Sequence, residues 1–490
     1  MKKNTFTTIF CIALCAVMVF AVCACSPVTP DGPNNPDPDI DANKWWTTEG
    51  ELAKDSEGKV QFKNVSIKLE TVVAGDDKDA FNMIVNKFNR EYNGKIIVTV
   101  TNTGAGEYEK TVASKITNNS NAPDLIMSHQ KSHKNFADNK LIQPFDEAME
   151  QSGIVIDKAN YADGLAQYMS AGYANRMFSV PADAQSMAVF YNKELLASLN
   201  MQLPTNRAEL LALCEAFKTK YETNPIAWET SGDYFGEYVY TSAILQNGGK
   251  LYDQSTYLTD WASNSANLTS IINASKSIRE LFSAGYANFN ESGSSALSTF
   301  LKGQRLFYFT DPWSMSDLVT KFAKEKGVSE SELMANTLGG TSFAGWFAMT
   351  DNAAKNNVYG DSHFFAMTKN VKDINKKAAI LEFIRWFTSN AEIGADWAKA
   401  GHISASKIIS ANTAYSESAY VTNFVANFYG NIDNFRCIGS TPYYDLLIPS
   451  IKAIFSDTVD ASSNHSDESD TSTIRQKQDA VNNNIGFFGN

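Results

Sequence analysis

Between residues 59 and 127 the hydrophobic period switches repeatedly between two and about 3.6, and this alternation constrains the fold more than any other feature. Residues 59–73 (KVQFKNVSIKLETVV) alternate well enough for a strand or hairpin. Residues 76–92 then place Phe81, Ile84, Val85 and Phe88 at three- and four-residue steps, which is one helical face behind an Asp-Asp start. A strand at 95–101 (KIIVTVT), a helix at 107–117 and a short buried strand at 124–127 (DLIM) follow. Strands spaced by helices in this way predict an α/β class, with helices on the faces of a sheet. Later segments continue it, with amphipathic helices over 209–221, 268–284 and 376–388 and buried strands over 305–310 and 363–368. The polar tract 461–473 (ASSNHSDESDTST) is expected to be a mobile loop before a short terminal helix. No repeat of solenoid length is present.

The N-terminus carries a separate signal. Lys2 and Lys3 precede a mostly apolar run over 6–22 that ends Val22-Cys23-Ala24-Cys25 and gives way to Pro, Asp and Asn rather than a basic flank. Residues 1–24 therefore read as an export signal, cut before Cys25. Val22 and Ala24 resemble the lipobox of bacterial lipoproteins, whose new N-terminal cysteine takes a lipid; an ordinary secretory peptide with an incidental cysteine is the alternative. Residues 25–44 are expected to be a disordered tether, so the mature chain is anchored to the cell membrane rather than spanning it. That chain, 25–490, is too long for one compact core, and two lobes are expected. The leader removes only two of the 42 basic residues, so the mature charge is 40 − 54 = −14. Such a body argues against nucleic acid as a partner. Cys214 and Cys437 also survive processing; they can pair, but two buried thiols are the favoured reading.

Four stretches then occur in a telling order. They are Asn121-Ala122-Pro123-Asp124-Leu125 followed by Phe136-Ala137 and Leu141-Ile142-Gln143-Pro144-Phe145-Asp146; Val180-Pro181-Ala182-Asp183 running to Tyr191-Asn192-Lys193-Glu194-Leu195; Phe300-Leu301-Lys302-Gly303-Gln304 leading to Asp311-Pro312-Trp313; and Ser362-His363-Phe364-Phe365 through Ala400-Gly401-His402-Ile403-Ser404-Ala405. Over about residues 60–455 the chain resembles the family 1 extracellular solute-binding proteins, which include maltose-binding proteins. It departs from the family pattern in Asp311 for Gly, Ser404 for Pro and an Asn- and Asp-containing stretch at 351–361.

The resemblance implies a two-lobed periplasmic-binding-protein fold of type II, with discontinuous lobes joined by a hinge: 45–182 and 338–412 in the first, 183–337 and 413–490 in the second. It also implies a non-enzymatic, monomeric component of an ABC importer. Such a protein captures a carbohydrate in the interlobe cleft, delivers it to permease subunits and needs no cofactor or metal.

A saccharide site needs aromatic platforms for C–H faces and short polar groups for hydroxyls. By likeness to the family, Trp313 and Tyr443 are the expected stacking residues, with Tyr444 as fallback. Tyr234 and Tyr238 match a cleft segment loosely, and Asp183 and Gln185 fall at the expected hinge crossing. His129 falls in the first cleft loop, and Trp346 is expected either to line the cleft or to pack beneath it. His363 and His402 follow family positions and are read as structural. The His129/His133 pair lacks the glutamate and third ligand of a zinc site. Gly104-Ala105-Gly106 fails as a dinucleotide loop because Glu109 replaces the last glycine. Two other readings remain open: a tethered glycan-cleaving enzyme, which needs two carboxylates at fixed spacing, and a same-fold binder of a non-sugar solute.

Overall fold

The computed structural model describes residues 44–173, 175–230, 234–253, 258–428, 435–436, 444–460 and 464–485. Two mixed sheets organise the chain. The first contains β1 (Val65–Thr71), β2 (Ile96–Asn102), β3 (Leu125–His129), β4 (Ile142–Gln143) and β5 (Val180–Pro181). After β6 (Asp183–Ala184), the second sheet is built from β7 (Ala188–Asn192), β8 (Ile226–Trp228), β9 (Phe307–Thr310) and β10 (Leu338–Thr341). The chain then passes β11 (Val358–Tyr359), inserts β12 (His363–Thr368) into the first sheet and forms β13 (Ile403–Ser404).

The first sheet runs in the order β2-β1-β3-β12-β4, with β5 also on β12. β1 is parallel to β2 and β3, whereas β12 is antiparallel to its neighbours. The second runs β10-β7-β9-β8, with only β8 and β9 parallel. The division expected from the sequence assigns Leu338–Thr341 to the first lobe. That strand pairs instead with β7, Leu338 opposite Asn192, so the second sheet holds this stretch of chain.

Period-two alternation lets the first sheet bury both faces. Leu125 and Met127 join a core with Phe81, Ile84 and Phe88 from helix α1 (Lys78–Glu91), while Ile126 faces Tyr108, Val112 and Ile116 of α2 (Ala105–Asn118). The predicted face of α1 is thus the buried one. Helices α3 (Arg207–Tyr221), α4 (Ser265–Ser283) and α6 (Ile374–Ser389) fall close to the expected segments, while α5 (Met315–Lys326) and α7 (Ala391–Lys399) match no expected segment.

The polar tract after residue 460 differs from its expectation. Residues 461–463 lie outside the described residues, but α8 (Asp467–Ile485) already begins within the tract. Ser466 Oγ accepts from the Ser469 N–H at 3.1 Å, and Asp467, Glu468 and Asp470 sit in the first turn, where a carboxylate is favoured by the helix dipole. Lys276 and Arg279 of α4 hold Asp467 and Asp470 at 2.7 and 3.0 Å. Cys214 is buried in α3, which raises its thiol pKa, and Cys437 lies outside the described residues. Among the described residues no helix is long and apolar enough to cross a membrane.

Two segments cross between the sheets side by side. Gln185 and Asp361 exchange backbone hydrogen bonds at 2.9 Å each way, and the Ala182 N–H donates to the His363 carbonyl at 2.8 Å. Ser362 Oγ donates to the Asp183 carbonyl, and β6 pairs with β13. These bonds lash both crossings to one another.

Candidate functional site

The loops that leave the C-terminal ends of the parallel strands in both sheets converge, as expected for ligand sites in α/β sheets. Val72 to Gly75 and Asp77 follow β1, Gly104 and Ala105 follow β2, and His129 ends β3. From the second sheet, Tyr234, Glu237 and Tyr238 follow β8 and Trp313 follows β9. Together with Lys131, Gln185 and His363 they line a cavity of about 380 Å³.

The second-sheet wall is aromatic. Pro312 starts a 3₁₀ turn, Pro312–Ser314, which turns the chain from β9 into α5 and presents Trp313. The Tyr234 ring meets Trp313 edge-on at 5.2 Å and 79°, Tyr238 lies 6.3 Å from Tyr234, and Tyr359 lies 5.5 Å beyond Tyr238. Tyr238 belongs to a π-helical turn, Phe235–Tyr240, and burial together with Glu237 pushes its phenol pKa well up. Gly401 closes against this wall from the first lobe. Its φ is +87°, and a Cβ there would fall 1.9 Å from the Pro312 carbonyl oxygen, so only glycine fits.

The floor and the first-sheet wall are polar. His129 stacks on His363 with ring centroids 5.2 Å apart, and burial with Lys131 nearby holds the His129 pKa well below its usual value. Asp183 is fully buried behind them and accepts from the His363 backbone N–H at 2.8 Å and from His363 Nδ1 and Trp397 Nε1 at 2.9 Å. His402 packs flat on Trp397, with centroids 4.0 Å apart. Its Nε2 contacts Asp77 Oδ2 and its Nδ1 contacts Asp183 Oδ2, both at 3.1 Å, the latter off the line of a hydrogen bond. Burial alone would discharge this ring; the carboxylates of Asp183 and Asp77 outweigh it and lift its pKa to about 9. The two imidazoles in turn pull Asp183 far below the usual carboxylate range against its own burial.

The structure thus gathers Trp313, Tyr234, Tyr238, Gln185 and His129 around one cavity. Two expected ligand residues are elsewhere. Trp346 is fully buried against Phe307 and Phe309 of β9, and its indole N–H donates to the Pro204 carbonyl at 2.9 Å. Asp183 has its oxygens occupied by protein donors and supports the wall from behind. Tyr443 lies outside the described residues, as do the side chains of Tyr444 and Cys25. His133, which sequence spacing set beside His129, turns into the core against Phe136 and Phe364 with Nε2 on Ser128 Oγ at 2.9 Å. Asp77, Lys131, Glu237 and His363 line the cavity without being expected ligand residues, and only Lys131 and His363 lie within two residues of a strand end.

Residues 74–393 match the sequence profile described as bacterial extracellular solute-binding protein. The chain belongs to that family. No curated protein matches the sequence. Among solved structures, the sugar-binding protein MalE from the phytopathogen Xanthomonas citri is similar at 15% identity and a TM-score of 0.66, over 86% of this chain and 99% of that one. The GacH receptor of Streptomyces glaucescens gives 16% identity and 0.64, over 85% and 98%; its structures include a complex with acarbose. The cyclic alpha-maltosyl-1,6-maltose binding protein of Arthrobacter globiformis gives 16% and 0.63, over 85% and 98%. At these identities the likeness establishes the fold, which is the two-lobed α/β type II architecture of this solute-binding family.

Asp183, His363 and His402 bring ligand-type atoms within 4.8 Å of one another. His363 Nδ1 donates to the Asp183 carboxylate, so a proton rather than a lone pair of that ring faces the space between the three. A second cavity of about 490 Å³ lies past Trp313, lined by Asp76, Glu229, Asp311 and Asp317 together with Ser292 and Ser314. Burial, with the charge of Asp76 added, raises the Asp311 pKa.

Proposed function

We propose that this solute-binding protein captures a mono- or oligosaccharide between its lobes and delivers it to the permease subunits of an ABC importer, without turning it over. One observation carries the reading: an aromatic wall of Trp313, Tyr234 and Tyr238 faces hydrogen-bonding groups of the other lobe across a single cavity. Rings take the apolar face of a pyranose and the polar wall takes its hydroxyls. The solved relatives named for sugars support the same class of ligand. In this reading Tyr443 adds a further platform, residues 1–24 are removed and lipid on Cys25 tethers a monomer outside the cell. The lobes divide near the paired crossings at 182–188 and 359–363, where they swing as a hinge.

A thermal-shift screen of mono- and oligosaccharides on residues 25–490 carrying Cys25→Ser tests the reading, with hydrolysis of each hit followed in parallel. Stabilisation without hydrolysis supports it, because a ligand bound only to the native state raises Tm. Hydrolysis would favour a glycan-cleaving enzyme, and no response to any saccharide would end the carbohydrate reading. The acidic second cavity favours one other class, a solute carrying an amino group, and amino sugars and polyamines belong in the same screen. Radiolabelled palmitate entering the full-length protein but not Cys25→Ala checks the anchor.

A further inference from the structure

Gln185 and His363 come from different crossings, yet their side chains meet at the cavity floor. Gln185 Nε2 and His363 Nε2 are 3.4 Å apart, and each residue is 3% exposed. What each nitrogen can do follows from its partners. An amide nitrogen only donates. His363 Nδ1 lies 2.9 Å from Asp183 Oδ2, and a carboxylate only accepts, so the ring proton sits on Nδ1. In the neutral ring that leaves a lone pair on Nε2. His402 reinforces this assignment. It lies between Asp77 and Asp183, whose carboxylates raise its pKa, so Asp183 faces a cation on one side and accepts from the His363 N–H on the other.

The two side chains meet over a long 3.4 Å contact at the cavity lining, and a ligand group that takes the place of that contact meets one donor, the Gln185 N–H, and one acceptor, the His363 lone pair. A group seated on the pair must accept from Gln185 and donate to His363. A hydroxyl does both, whereas an ammonium cannot accept and a carboxylate cannot donate. We propose that Gln185 and His363 form a hydroxyl clamp at the cavity floor, and that Asp183 is the positioning residue that fixes which His363 nitrogen faces the ligand. The clamp rests on the solute-capture reading above and deepens it. It puts hydroxyl recognition on the two segments that join the lobes, so a ligand gripped there holds both crossings at once.

The chain has five histidines, so histidine-selective ¹⁵N labelling of residues 25–490 with Cys25→Ser resolves each ring, and His363→Gln assigns the signal. The expected result without ligand is a His363 ring protonated on Nδ1, a preference lost in Asp183→Asn. An Nε2-protonated or doubly protonated His363 ring in the parent protein overturns the clamp. If Asp183→Asn does not fold, the parent spectrum still decides. The second arm is the affinity for the best saccharide of the screen. Gln185→Leu is expected to weaken it about tenfold, the effect of leaving one buried polar group unpaired. If Trp313→Ala weakens binding and Gln185→Leu does not, the clamp is wrong while the carbohydrate reading stands. If no saccharide binds, the carbohydrate reading falls and the His363 tautomer alone decides for or against the clamp.

Discussion

The two walls of the cavity are built from different chemistry by similar means. Each hangs from loops at strand ends, but the second sheet supplies Trp313, Tyr234 and Tyr238, while the first supplies His129, Lys131, Asp77 and, through β12, His363. The aromatic wall offers area, and the polar wall offers direction. Stacking alone is tolerant of which sugar lies on a ring, and hydrogen bonding alone competes poorly with water. Selective capture thus needs both lobes at once.

The strongest way to break this comparison is to contrast two tryptophans of the second lobe. Trp346→Ala should cost about 3–5 kcal/mol of stability, as for other buried large-to-small changes, and leave the affinity of the folded fraction unchanged; urea unfolding paired with calorimetric titration reads both. Trp313→Ala should do the reverse, lowering saccharide affinity about tenfold to a hundredfold from lost contact area, with stability altered by about 1 kcal/mol or less. An equal loss of affinity in the two variants would dissolve the distinction between wall and core.

The polar wall is tested by pH. The folded pKa of His402 is raised to about 9 from 6.5, so its stabilising contribution is complete below pH 6.5 and is lost as pH rises through 9. Buried Lys377, whose pKa is lowered to about 8, works in the opposite direction over the same range, so the test is a difference: between pH 7 and 10 the parent should lose about 2 kcal/mol more stability than His402→Gln, read by urea unfolding at each pH. The smallest effect belongs to Tyr234, which is 48% exposed and touches Trp313 edge-on. Tyr234→Ala should weaken saccharide affinity about threefold, and an effect exceeding that of Trp313→Ala would move the platform to Tyr234.

Much of this was legible in the sequence, for a physical reason. The spacing of Phe81, Ile84, Val85 and Phe88 names the buried face of α1 without outside help, because amphipathic periodicity is local. Trp313, Tyr234, Tyr238, Gln185 and His129 came from motif order and position, and they share one cavity. Trp346 shows where sequence order leaves a choice open, and burial beneath the cleft is the alternative the structure takes. This tryptophan follows Gly345 much as Trp313 follows Pro312, and only the course of β10 into the second sheet, with Pro204 beside the indole, sends it inward. For Asp183 the expectation fails, since its partners Trp397 and His402 are more than two hundred residues away in sequence. The acidic tract that opens α8 reads as low complexity because its basic partners, Lys276 and Arg279, lie on a distant helix.

The place of β12 has a consequence for how such a molecule comes into being. It is the middle slat of the first sheet, bonded to β3 on one side and to β4 and β5 on the other, yet it is translated after every strand of the second sheet. Until it arrives, β3 and β4 keep open edges and the first lobe has no continuous sheet to pack on. The second sheet has all its strands sooner. A scaffold that waits for residues 363–368 of a 490-residue chain keeps its first sheet incomplete until about three quarters of the chain has been made.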